Sequence, residues 1–108
     1  MASTSFNILT RRPISVTAGS KATINSQGCY KVDKLVCISV RFTTTAAVST
    51  NEVLFSGLPQ ASINVYANIG NGYNSSAYGG RTGNQNFYAN GAIPSGTECN
   101  VAFTYVEL

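Results

Sequence analysis

Residues 35–43 read LVCISVRFT, and their alternation decides the fold. On an extended chain Val36, Ile38, Val40 and Phe42 fall on one side, while Leu35, Cys37, Ser39 and Arg41 fall on the other. A period of two in β-branched and aromatic residues is the pattern of a strand with one buried and one mixed face. Residues 98–108 repeat it, with Cys99, Val101, Phe103 and Tyr105 on one face and Asn100, Ala102 and Thr104 on the other. Residues 61–69, ASINVYANI, place Ile63, Val65, Ala67 and Ile69 inward and Asn64, Tyr66 and Asn68 outward. These three strands are expected to carry the core.

Shorter candidates lie between them. Residues 14–18, 22–25, 52–55 and 85–89 read as strands, the third of them stopped by Gly57 and Pro59. Asn90-Gly91 and Pro94-Ser95-Gly96 read as tight turns. Residues 43–50 contain two alanines, but their Thr and Ser residues disfavour a helix. Seven or eight short strands separated by turn signals predict an all-β fold: an antiparallel β-sandwich, jelly-roll-like.

A chain of 108 residues has room for one core and one domain. Residues 1–13 read as an extended N-terminal arm or a link to a stalk, without the apolar region or cleavage pattern of a secretory signal. No apolar run approaches the ~20 residues of a membrane span, so no membrane insertion is expected. The charged fraction is 10%, against roughly 25% in typical soluble domains. Such a surface, covered by Ser, Thr, Asn, Gly and Tyr, suits extracellular or virion proteins with part of the surface held against a partner.

The net charge of +3 arises from seven basic and four acidic residues. Arg11 and Arg12 are adjacent, but no clustered basic stripe of the kind that displaces counterions from nucleic acid is present. Nucleic-acid binding is not expected. Cys29, Cys37 and Cys99 cannot all pair within the chain, and none belongs to a CxxC motif. Cys37 and Cys99 lie in apolar runs, where a reduced thiol behaves as a small hydrophobe, as suits assembly in a reducing cytoplasm.

The chemistry-bearing side chains are few. With no histidine there is no imidazole base, dyad or metal ligand, so neither metal nor cofactor is expected. The spacing of Asp33, Glu52, Glu98 and Glu107 does not place two carboxylates together, as glycosidases require. Lys34 and Cys37, three apart on a strand, face opposite sides, so no activated thiolate arises there. Gly70-Asn71-Gly72 and Gly79-Gly80 have no strand-to-helix context for a phosphate loop. Asn74-Ser75-Ser76 matches a glycosylation triplet only as any Asn/Ser-rich stretch would. The expectation is a protein that binds and is not an enzyme.

Residues 68–90 stand apart, dense in Asn and Gly, with Tyr73, Tyr78, Phe87 and Tyr88 and the single charge of Arg81. They read either as a floppy loop or loop-rich edge, or as a ligand or partner surface. Tyr and Asn supply flat contact area and adaptable hydrogen bonds at low entropic cost.

Several motifs carry a resemblance. Gly91-Ala92-Ile93-Pro94-Ser95-Gly96-Thr97, followed by Asn100-Val101-Ala102-Phe103-Thr104-Tyr105, resembles the ending of receptor-binding and tail-fibre tip domains of bacteriophages and prophages. The run from Tyr30 through Lys31, Val32, Asp33 and Lys34 to Phe42 is similar to a strand of that family, with Asp33 near a position that is often Gly. Leu54-Phe55-Ser56-Gly57-Leu58-Pro59 resembles another of its elements, with Gln60 in place of the usual Gly. The Asn90-Gly91 pair fits the hairpin preceding the ending.

The resemblance covers the chain from about Tyr30 onward. It implies a homotrimeric β-sandwich at the distal end of a phage tail fibre or baseplate, assembled in the bacterial cytoplasm, beside other virion tail proteins. Mixed faces such as Leu35/Cys37 and Tyr66 would then lie against neighbours around a threefold axis. It further implies host recognition through adhesion to a cell-surface saccharide. Sugar recognition needs aromatic faces and fixed amide and hydroxyl groups, for which Tyr73, Asn74, Tyr78, Arg81, Asn84, Asn86 and Tyr88 are the candidates. Arg81 would pair with a phosphate or carboxylate on a charged cell-wall polymer. Two other readings stand beside this one: a structural trimerisation, capping or virion-decoration module, and an enzyme with two acids roughly 5–10 Å apart.

Overall fold

The computed structural model describes residues 10–72 and 74–108. Among these there is no helix, and ten strands form one antiparallel sheet. They are β1 (Arg11–Ile14), β2 (Thr17–Ala18), β3 (Ala22–Gln27), β4 (Cys29–Val32), β5 (Leu35–Thr44), β6 (Val53–Ser56), β7 (Tyr66–Asn71), β8 (Asn74–Gly83), β9 (Asn86–Ala89) and β10 (Glu98–Val106). The order across the sheet is β1-β4-β5-β10-β7-β8-β9-β6-β2, with β3 also on β5. The all-β antiparallel sandwich expected from the alternation is present, built from one sheet that curls onto itself.

Register follows directly from the two-residue period. β5 and β10 pair along their length, with Cys99 opposite Phe42, Val101 opposite Val40, Phe103 opposite Ile38 and Tyr105 opposite Val36. Every inward residue of one strand thus meets an inward residue of the other; a slip of one position would turn both rows out to water. Val36, Ile38, Val40 and Phe42 are all buried, as the alternation requires.

Aromatic rings show how the sheet closes. Phe42 of β5 meets Phe55 of β6 edge-on at 6.1 Å, and Phe87 of β9 stacks on Phe103 of β10 at 5.0 Å. Neither pair lies on neighbouring strands, so the β6/β9 part of the sheet faces the β5/β10 part. Phe55 and Phe87 stack at 4.9 Å and are fully buried. Burial of each such ring contributes on the order of 2 kcal/mol.

The structure corrects several boundaries. The expected strand over residues 14–18 is split, because Gln27 takes the ladder's place at Val16. Its side-chain oxygen accepts from the Val16 amide at 2.8 Å and its amide donates to the Val16 carbonyl at 3.0 Å. The strand expected over residues 61–69 begins only at Tyr66, and Ile63 is 78% exposed, not inward. Residues 60–62 instead run along the chain end, where Ser62 donates to Val106 and Leu108 donates to Gln60. Asn90-Gly91 is not the hairpin turn; that turn is Asn84-Gln85, flanked by the Gly83–Asn86 pair.

The largest correction concerns residues 68–90, which form the antiparallel meander β7-β8-β9. β8 shows no apolar alternation because its inward positions are Tyr78, Gly80 and Thr82. A Cβ on Gly80 would fall on the Phe87 ring, so the missing side chain is what admits that ring to the core. Of the N-terminal arm, Arg11–Ile14 pairs with β4, and Arg11 lies 4.0 Å from the centre of the Tyr30 ring. Residues 1–9 lie outside the described residues.

The three thiols are free, with Cys29 and Cys99 buried. Burial pushes Cys99 up to about 11. The expected turn at Pro94-Ser95-Gly96 forms around buried Thr44, whose hydroxyl donates to the Pro94 carbonyl at 2.6 Å and accepts from the Thr97 amide at 2.9 Å.

Candidate functional site

The meander sets one residue of each strand in a row on its outer face. Tyr66 of β7 is opposite Arg81 of β8, and Arg81 is opposite Tyr88 of β9. Such directly opposed residues have Cβ atoms roughly 5 Å apart, so two tyrosines flank one cation. Tyr66 is 79% exposed. A groove of about 570 Å³ opens here, its walls including Asn51, Asn64, Tyr66, Arg81, Asn84 and Tyr88.

Arg81, Tyr88, Asn51 and Asn64 are each held by a side-chain contact. Arg81 Nη1 donates to Asn90 Oδ1 at 2.6 Å, and Nη2 donates to Asn51 Oδ1 at 2.7 Å. The guanidinium carbon lies 5.2 Å from the centre of the Tyr88 ring, within cation–π range. Asn86 Nδ2 donates to the Tyr88 hydroxyl at 3.1 Å. Thr82 accepts from the Val65 amide at 2.9 Å, and its hydroxyl donates to Asn64 Oδ1 at 3.3 Å. Asn51 and Asn84 occupy the left-handed region, with φ of 72° and 53°, a conformation that asparagine tolerates better than most residues.

The candidates from the sequence divide. Arg81, Asn84 and Tyr88 line the groove, and Asn86 stands behind it as the support of the Tyr88 hydroxyl. Asn74 opens β8 seven residues before Arg81, about 23 Å along an extended strand. Its side chain accepts from the Ser76 amide at 3.0 Å. Tyr78 is turned inward, partly buried against the core, and does not reach the groove. Tyr73 lies outside the described residues. Asn51, Asn64 and Tyr66 line the groove without being among the candidates, and Asn90, the last residue of the 68–90 segment, joins them by holding Arg81. Tyr66 was legible as an outward tyrosine, whereas Asn51 arrives from 30 residues away in sequence.

A second groove of about 460 Å³ lies around Arg41, beside Ser26 and Asn100, and Glu98 is among its lining residues. The remaining acids are elsewhere. Glu52 accepts from Lys21 at 2.8 Å and Glu107 from Lys31 at 3.0 Å, while Asp33 occupies the β4–β5 turn with φ of 55°. The Lys21 hydrogen bond holds Glu52 below the usual carboxylate range. Among the described residues no three His, Cys, Asp or Glu side chains converge as metal ligands. Comparison of the chain with protein-family models, curated proteins and solved structures gives no match.

Proposed function

We propose that this chain is a non-enzymatic receptor-binding tip domain of a phage tail fibre or baseplate, trimeric, that adheres to a host cell-surface saccharide. The observation that carries this reading is the Tyr66–Arg81–Tyr88 row with its fixed asparagines. Tyrosine rings suit the apolar faces of sugar rings, and held amides suit their hydroxyl pattern. Two acids, Glu52 and Glu107, are each engaged by a lysine, which supports binding over hydrolysis. Weak single-site affinity would be multiplied by threefold presentation on many fibres.

The test is binding of the intact chain to a glycan array and to whole cells, alongside Tyr88→Ala and Tyr66→Ala. Selective glycan capture that either substitution abolishes, with the circular dichroism spectrum kept, supports the reading. Unaltered capture by both variants would place recognition elsewhere.

One observation favours the alternative of a structural trimerisation or capping module. Leu35 and Val106 face each other across β5 and β10 and are 48% and 52% exposed, and Leu108 is 69% exposed close by. An apolar end of this kind suits a subunit contact. Solution mass by light scattering bears on both readings, since a monomer contradicts the tip-domain proposal.

A further inference from the structure

Hydrogen-bond accounting in the groove specifies the ligand more narrowly. Arginine carries only donors, so the atom each asparagine turns toward it must be the side-chain oxygen. Asn51 and Asn90 each give their Oδ1 to Arg81, and what each has left is its NH₂. Asn64 gives its oxygen to the Thr82 hydroxyl and likewise has its NH₂ left. The Tyr88 oxygen accepts from Asn86, so its own hydrogen is available to donate. Two of the five N–H groups of Arg81 are engaged, and the rest are unassigned.

Every one of these side chains therefore offers donors, no carboxylate lines the groove, and Asn90 stands beside it, tied to Arg81, without being one of its walls. Glu52, next in sequence to Asn51, is held away by Lys21 and by the Ser49 amide, which donates to it at 2.7 Å. Room is left beside Asn90, because Gly79 has no side chain and a Cβ there would sit 3.7 Å from Asn90 Nδ2. The Asn51 backbone N–H donates to the Ala89 carbonyl at 2.8 Å, and its side-chain oxygen is held by Arg81, which leaves its NH₂ facing away from Arg81. A neutral sugar hydroxyl brings a donor of its own, for which this surface offers few acceptors: the Asn84 and Tyr66 oxygens and the second lone pairs of oxygens already engaged. An acceptor-only group satisfies all the donors together and forms the stronger, charge-assisted bonds.

We infer that the groove selects an acidic saccharide, binding its carboxylate or phosphate between Arg81 and the amides of Asn51 and Asn90, with Tyr66 and Tyr88 beside the sugar ring. This rests on the saccharide-binding reading above and narrows its ligand class. Carboxylate and phosphate share the required chemistry, and the two probes below distinguish them.

The experiment titrates the intact chain, by calorimetry or NMR, with a trigalacturonic acid, its methyl ester, and a glycerol-phosphate oligomer. The acid or the phosphate oligomer is expected to bind on the order of tenfold or more tightly than the ester, with affinity falling as salt rises. Asn51→Asp and Asn90→Asp are close to isosteric, keep the oxygen that faces Arg81, and turn the outer NH₂ into a carboxylate oxygen. Each is expected to cost at least tenfold for the acidic ligand and to leave the unfolding midpoint near that of the parent. Equal affinity for acid and ester, or acid binding unchanged in both Asp variants, overturns the acidic preference and leaves the saccharide reading standing. Absence of binding by all three probes and by whole cells overturns both.

Discussion

Arg81 stands directly opposite Tyr88, with its guanidinium carbon 5.2 Å from the centre of the tyrosine ring. Of the two asparagines that hold Arg81, Asn51 comes from the turn before β6 and Asn90 directly follows β9. The cation on β8 is thus positioned by two other segments of chain, the turn before β6 and the end of β9, which is what gives the groove a defined geometry.

Asn51 separates positioning from stability. Its φ of 72° suits glycine at no steric cost and strains alanine by roughly 1 kcal/mol. Asn51→Gly is expected to keep the unfolding free energy within about 1 kcal/mol while weakening ligand binding, because Arg81 Nη2 loses its acceptor. Asn51→Ala is expected to be the less stable of the two. Urea denaturation followed by circular dichroism, with ligand titration in parallel, checks both.

Gly79 and Gly80 are neighbours with opposite consequences. An added methyl at Gly80 falls on Phe87, which is fully buried between Phe55 and Phe103 and has nowhere to move. Gly80→Ala is expected to cost about 2–3 kcal/mol by overpacking. At Gly79 the nearest atom would be at ordinary contact distance, and Gly79→Ala is expected to leave the fold intact. Comparing thermal midpoints of the two variants decides this, and equal midpoints contradict it.

Asp33 carries backbone strain in the two-residue turn between β4 and β5, with φ of 55°. Asp33→Gly is expected to be neutral or to stabilise by up to about 1 kcal/mol, whereas Asp33→Val should cost about 1–2 kcal/mol. Denaturant midpoints measure the difference.

Alkaline pH should weaken the fold through its buried acids. Burial raises Cys99 from an ordinary value of 9.0 to about 11, and burial likewise raises Tyr105 and Cys29. A raised folded-state value means that the native protein holds the proton more tightly than the unfolded chain. That contribution is complete below pH ~9 and is lost as pH rises toward 11. Cys99→Val is expected to flatten the decline between pH 9 and 11, as read from denaturation midpoints at stepped pH.

The strands that were plain in the sequence are those whose inward residues are large and apolar. β5 and β10 announce themselves because Val36, Ile38, Val40 and Phe42 have to face Tyr105, Phe103, Val101 and Cys99. β8 stayed hidden although it is as long as β5, because it fills its inward positions with Gly80 and Thr82 and lets Phe87 of the next strand occupy the space. Ile63 misled for the converse reason. Its alternation is genuine, but that stretch is drawn off by backbone bonds to residues 106–108.

The local pattern by itself determined that the chain is all-β, which faces of β5 and β10 are buried, and that Arg81 is the only charge in a tyrosine- and asparagine-rich segment. Alternation is a property of neighbouring residues and survives without knowledge of the fold. Tertiary structure decided that Tyr66 and Tyr88 flank Arg81, that Asn51 and Asn90 clamp it, and that Tyr78 serves the core. Those outcomes depend on which strands pair and in what register, and register is set by the summed burial of the whole sheet.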